Sequence, residues 1–142
     1  MSTNDLRRLA LEVDILGMNE TGIKTIKKSS KEYPKILKEI SNAPKQLYVR
    51  GELPKNHDMN FAIVGTRAAS EYGKMLAFKI AKELSELGFN IVSGLALGID
   101  TQAHLGTLSG KGKTIAVLGS GIDDTSIFPK ENLALVKKIV ES

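Results

Sequence analysis

Residues 90–100 read Asn90-Ile91-Val92-Ser93-Gly94-Leu95-Ala96-Leu97-Gly98-Ile99-Asp100. Ile91 and Val92 are β-branched and apolar, as a buried strand prefers, and Gly94 and Gly98 bracket a tight turn before a helix that opens at Gly98 to Asp100. A strand, turn and helix start joined this closely aim unpaired backbone N–H groups and the positive end of a helix dipole outward. Such a junction suits an anion such as phosphate.

The same unit recurs on either side. Phe61 to Val64 is a short apolar run, and Gly73 to Leu87 has Leu76, Ala77, Ile80, Ala81, Leu84 and Leu87 at helical spacing before Gly88 stops it. Ile99 to Leu108 is the next helix, Thr114 to Leu118 the third strand, and Lys130 to Val140 a last helix. Apolar strands alternating with amphipathic helices predict an α/β fold: a Rossmann-like parallel sheet with helices on both faces and right-handed crossovers. In such a sheet the loops after the strands converge on one edge, where open α/β folds bind ligands. Here those loops are Gly65-Thr66-Arg67, the Ser93 to Asp100 stretch, and Gly119-Ser120-Gly121-Ile122-Asp123.

Residues 1–56 read as a separate helical and strand extension, ahead of a core over residues 57–142. Leu6, Leu9, Ala10, Val13 and Leu16 predict a short amphipathic helix, and strands are expected at Gly22 to Ile26 and Gln46 to Gly51. Pro34 is expected at a first helical position, with Ile36, Leu37 and Ile40 as the buried face. Lysines 24, 27, 28, 31, 35 and 38 crowd this region, but Pro34 interrupts any single helix through them, so they read as a solvated surface. His57 stands alone in a polar loop, without the neighbours a metal site needs.

Composition adds exclusions. The 142 residues contain no cysteine, which removes disulfides and thiolate metal sites, and no apolar run approaches the roughly 20 residues of a membrane span. The expectation is a soluble, cytoplasmic chain. A net charge of +4 leans towards a polyanionic partner without establishing one. Gly119-Ser120-Gly121 is a partial dinucleotide fingerprint, but its sixth position is Asp124, and no Walker, G-x-S-x-G or H-E-x-x-H sequence occurs. No catalytic residue, metal or cofactor is expected.

Individual residues at the edge then separate by chemistry. Arg67 directly follows a strand, where its guanidinium can grip a phosphate in two places or pair with Glu71. Ser93 and Gly94 can offer a hydroxyl and an N–H to a phosphate, or serve as strand-end cap and turn former. Asp100 would repel a phosphate, so a helix cap, a partner for Arg67 or an acceptor for a base or ribose fits it better. His104, one turn further on, reads as structural.

Ala62-Ile63-Val64-Gly65-Thr66-Arg67, Tyr72-Gly73, Val92-Ser93-Gly94-Leu95-Ala96, Gly98-Ile99-Asp100, Ala103-His104, Thr114 to Gly121 and Phe128-Pro129-Lys130-Glu131-Asn132 resemble, in order and spacing, the DprA/Smf family. Tyr33-Pro34, Ala43-Pro44 and Leu47-Tyr48-Val49-Arg50-Gly51 resemble its lead-in. The resemblance implies a Rossmann-like domain that binds single-stranded DNA and helps load a RecA-type recombinase during natural transformation, without catalytic turnover. It implies a DNA site at Gly65, Thr66, Arg67, Ser93, Gly94, Gly98, Asp100, Gly119, Ser120 and Gly121. The sequence ends at Ser142, where the family would begin a fourth core strand beside the first. The expectation is therefore a fragment, or a chain that forms a homodimer or pairs its open edge with an N-terminal strand. The alternative is a nucleotide-binding or nucleotide-processing domain of the phosphoribohydrolase type, whose P-G-G-x-G-T sequence is not found here.

Overall fold

The computed structural model describes residues 22–55 and 57–142, and the chain divides into two units, Met1–Glu52 and Leu53–Ser142. The amphipathic helix expected over residues 6–16 lies outside the described residues.

In the first unit, β1 (Ile23–Lys27) and β2 (Gln46–Arg50) form an antiparallel ribbon, with Thr25 opposite Tyr48 and Lys27 opposite Gln46. Alternation along each strand puts Ile26 and Val49 on the buried side, 3% and 8% exposed. Between the strands lies α1 (Lys35–Lys38), a single turn with Pro34 at its N-cap rather than inside it. Ile36 and Ile40, expected on a buried face, are 68% and 50% exposed. One turn is too short to present an apolar stripe. The anchor is instead Tyr33, fully buried, whose hydroxyl donates to the Pro44 carbonyl at 2.9 Å.

The second unit runs β3 (Asn60–Ala62), α2 (Glu71–Glu86), β4 (Asn90–Ser93), α3 (Ile99–Ser109), β5 (Thr114–Ala116), a 3-10 turn (Lys130–Asn132) and α4 (Leu133–Glu141). The last helix thus starts later than its sequence pattern suggests. The three strands are parallel in the order β3-β4-β5, with Phe61 beside Ile91 and Ile91 beside Thr114. Ser70 caps α2 by accepting the Gly73 N–H at 3.2 Å.

Two apolar clusters hold the helices to the sheet. Ala81, Ile91 and Ala103 join α2, β4 and α3, with Ile63, Leu84 and Phe89 around them; Leu95, Ile127, Leu135 and Val136 pack with Ala116 and Leu118. In this register Ile91, Thr114 and Ala116 share one face, as expected when two right-handed crossovers step in the same direction. On the other side Ala62, Val64 and Val117 are exposed. All three residues of β3 are exposed as well. On α2, Ala77, Ala81 and Ser85 are buried, whereas Leu76, Ile80 and Leu87, expected to face the same way, are not. No helix among the described residues is long and apolar enough to cross a membrane.

Candidate functional site

The three glycine loops follow the C-terminal ends of β3, β4 and β5, so the parallel sheet brings them to one edge. What joins them is a buried carboxylate. Asp100, 6% exposed in the first turn of α3, accepts the Gly94 N–H at 3.0 Å and the Gly65 N–H at 3.3 Å. One side chain therefore ties the first loop to the second, and a negative charge at the start of a helix is favoured by its dipole. Asp100 is neither a helix cap, since α3 has Gly98 at its N-cap and no side-chain cap bond, nor a partner of Arg67; its carboxylate ties two loops together instead. The Gly94 N–H, expected to be offered to a phosphate, is already committed to this carboxylate.

The two loops also touch through their backbones. Gly98 has φ 82°, and a Cβ there would lie 2.3 Å from the Thr66 carbonyl oxygen and 2.6 Å from that of Arg67. The Ile99 N–H then donates to the Thr66 carbonyl at 3.2 Å. A Cβ on Gly65 would meet Ile99 Cγ1 at 2.6 Å, so glycine at both positions lets α3 close against the Thr66-Arg67 peptide. Ser93 is 2% exposed and its hydroxyl donates to the Ile63 carbonyl at 2.6 Å. It serves as a strand-end cap, with its proton turned away from any ligand.

Arg67 is different. It is exposed, and no carboxylate among the described residues pairs with it: Glu71, the alternative partner, holds Lys74 at 2.8 Å. Thr66, Gly119, Ser120 and Gly121 are exposed beside solvent too, as are the rings of Tyr72 (69%) and Phe128 (68%). In the third loop Asp123 is locked locally, accepting from Ser126 and Thr125, and these bonds hold its carboxyl below the usual carboxylate range.

Two buried polar residues complete the support. Asn132, 5% exposed, donates from Nδ2 to the Leu95 carbonyl at 2.8 Å and to Thr101 Oγ1 at 2.9 Å. It thereby holds Leu95, a non-glycine residue at φ 62° with a fully buried side chain. Sequence reasoning gives Asn132 no role; an asparagine at a helix start reads as a cap, yet its side chain makes no cap bond here. His104 is fully buried, and burial lowers its pKa to about 4 against the opposing pull of Asp100. Thr114 Oγ1 donates to the Ile91 carbonyl at 2.8 Å, so it accepts from His104 Nδ1 at 2.7 Å and fixes the Nδ1–H tautomer. Nε2 is left without a partner. No group of three or more His, Cys, Asp or Glu among the described residues is placed to hold a metal ion.

Comparison with known proteins agrees with this fold. The sequence model of the family described as DNA recombination-mediator protein A matches residues 24–142. The chain is 42% identical over 117 residues to DNA processing protein DprA of Bacillus subtilis, covering 82% of this chain and 39% of that protein. Protein Smf of Escherichia coli is 34% identical over 134 residues, 94% of this chain and 35% of its own length. Among solved structures, DprA of Streptococcus pneumoniae superposes with a TM-score of 0.76 at 37% identity, over 88% of this chain and 42% of that one. DprA of Helicobacter pylori, described for its single-stranded DNA binding mode, gives 0.69 at 28% identity, over 85% of this chain and 53% of that one. The chain thus spans well under two thirds of the length of these relatives, and the family match over residues 24–142 shows that it belongs to the DNA recombination-mediator protein A family, that of DprA and Smf.

Proposed function

We propose that this chain carries a strand-capturing edge of a single-stranded DNA-binding protein of the DprA/Smf type, acting without chemical turnover. The observation that carries the reading is Arg67: an unpaired, exposed guanidinium on a loop pinned by Gly98 and Ile99. A pinned loop reduces the ordering cost of binding, and a guanidinium fork matches phosphate oxygens. Arg67, Thr66 and the exposed Gly119-Ser120-Gly121 loop then face the strand. Gly65, Ser93, Gly94, Gly98 and Asp100 position it from beneath. The single-stranded DNA binding described for the Helicobacter pylori relative supports this choice over a nucleotide pocket. So do the Gly65 and Gly94 amides, which Asp100 takes from any phosphate cradle. In the whole protein this edge would present incoming strands to a RecA-type recombinase in the cytoplasm during natural transformation.

The test is fluorescence anisotropy of a labelled oligo-dT with the wild-type chain and Arg67→Ala, over a salt series and with AMP and ATP as competitors. Salt-sensitive binding that weakens in the variant and ignores mononucleotides is expected. Displacement by AMP or ATP at concentrations that saturate a nucleotide site would replace the strand reading with a nucleotide one.

A further inference from the structure

The positive charge of this chain is not at the loop edge. Residues 22–52 hold eight Lys or Arg against three Asp or Glu, a net of +5, whereas residues 53–142 hold ten against nine. The two sets also differ in how they are used. On α2, Lys74, Lys79 and Lys82 pair with Glu71, Glu83 and Glu86 at helical spacing. Lys27 and Lys45 of the ribbon are exposed and make no ion pair among the described residues.

Alternation sorts the ribbon into two sides. Ile26 and Val49 face inward, and Thr25, Lys27, Gln46 and Tyr48 lie on the exposed side. Tyr48 stands at the centre of that side, 61% exposed, with Thr25 opposite it and Gln46 Nε2 donating to its hydroxyl at 2.5 Å. Lys27 is opposite Gln46, and the Lys28 N–H donates to the Lys45 carbonyl at 2.8 Å, which keeps Lys27 and Lys45 at the same end of the ribbon. An exposed aromatic ring on a two-stranded surface among unpaired cations offers a π-face for a base and charges for its phosphates. Single-strand binders combine these two elements.

We infer that the Tyr48 face of the β1–β2 ribbon is a second single-strand nucleic-acid contact, with a base stacked on Tyr48 and backbone phosphates held by Lys27 and Lys45. The inference rests on the single-strand reading of the chain but uses none of the residues of the glycine edge. An acidic peptide or an anionic membrane would use the lysines and leave the ring without a purpose.

The experiment uses the full chain with an oligo-dT carrying 5-iodouracil, photo-crosslinked and mapped by mass spectrometry, beside anisotropy of Tyr48→Ala, Tyr48→Phe, the pair Lys27→Glu and Lys45→Glu, and Arg67→Ala. A crosslink on Tyr48, an affinity loss of about tenfold in Tyr48→Ala, and retention in Tyr48→Phe are expected. All three ribbon variants have exposed side chains, and thermal melts identify any that fail to fold. Wild-type affinity in Tyr48→Ala and in the lysine pair, with loss only in Arg67→Ala, would sink the ribbon contact and leave the loop edge standing. The reverse pattern would sustain the ribbon and remove the loop edge. Capture of phosphatidylserine vesicles or polyglutamate that depends on the lysines, with no oligo-dT binding, would overturn the nucleic-acid assignment.

Discussion

On the readings proposed above, the glycine edge and the β1–β2 ribbon are opposite solutions to holding a polyanion. At the edge a single unpaired cation, Arg67, rests on a loop fixed by a buried network of Asp100, Gly98 and Ser93. On the ribbon several cations stand on a surface whose buried apolar residues, among those described, are Ile26, Val49 and Tyr33. The first arrangement spends residues on position and gains one well-placed contact; the second spends them on charge and gains reach. Mutations of the residues that position the edge should therefore act mainly through stability, and those of Arg67 and the ribbon mainly through affinity and its salt dependence.

The sharpest way to break that contrast is Asp100→Ala. It leaves two part-buried amides without an acceptor, and a loss of about 4 kcal/mol in urea unfolding is expected, on the order of 2 kcal/mol per orphaned group. Asp100→Asn, which keeps one carbonyl acceptor, should lose about half as much. A wild-type unfolding midpoint in Asp100→Ala would show that the loops are held by backbone contacts alone.

Next in size is a pH effect confined to the second unit. His104 has its pKa lowered to about 4 in the folded chain, from an ordinary value of 6.5. The unfolded chain therefore takes up the proton first. Stability from this group is complete above pH 6.5 and is lost as pH falls towards 4, by about 3 kcal/mol in all. Unfolding at pH 7 and at pH 4.5 should show most of this loss, and His104→Gln should flatten it. A loss of equal size in His104→Gln would assign the acid sensitivity to another group.

Arg67→Ala should leave stability unchanged, since the side chain has no partner to lose, and weaken oligo-dT binding about tenfold. One fewer phosphate contact should also make the slope of log affinity against log salt shallower by about 0.7 for a single strand. An unchanged slope would mean that Arg67 meets a base or nothing. The smallest effect belongs to the ion pairs of α2, whose cations are spent on their own helix. Lys82→Ala removes a half-buried partner of Glu86 and should cost less than about 0.5 kcal/mol with no change in DNA affinity. A clear affinity loss there would blur the division between the paired cations of α2 and the unpaired ones of the ribbon.

Much of the fold is legible in the amino-acid sequence. The three strands, the helices between them and the glycine turns follow from local rules: β-branched runs, helical spacing of apolar residues, and stop signals such as Gly88. Those rules act over a few residues, so the sequence carries them openly. They fail where a side chain's environment depends on distant chain. Ile36 and Ile40 carry the right spacing for a buried stripe, but one turn of helix has nothing to bury it against. Leu76 and Ile80 carry the spacing of a buried face too, yet each is 39% exposed.

The candidate site divides in the same way. Composition and position pick out Arg67 and the glycine loops, because a cation after a strand and a glycine in a turn are local facts. The division of labour among them was decided only by the tertiary structure. That Asp100 binds amides 35 and 6 residues away, that Gly98 lies against the Thr66-Arg67 peptide, and that Asn132 reaches Leu95 are matters of distance across the fold. The sequence by itself determined the order of elements and the chemistry available at their ends. Only packing decided which of those groups face one another and are spent, and which, like Arg67, are left exposed without a partner among the described residues.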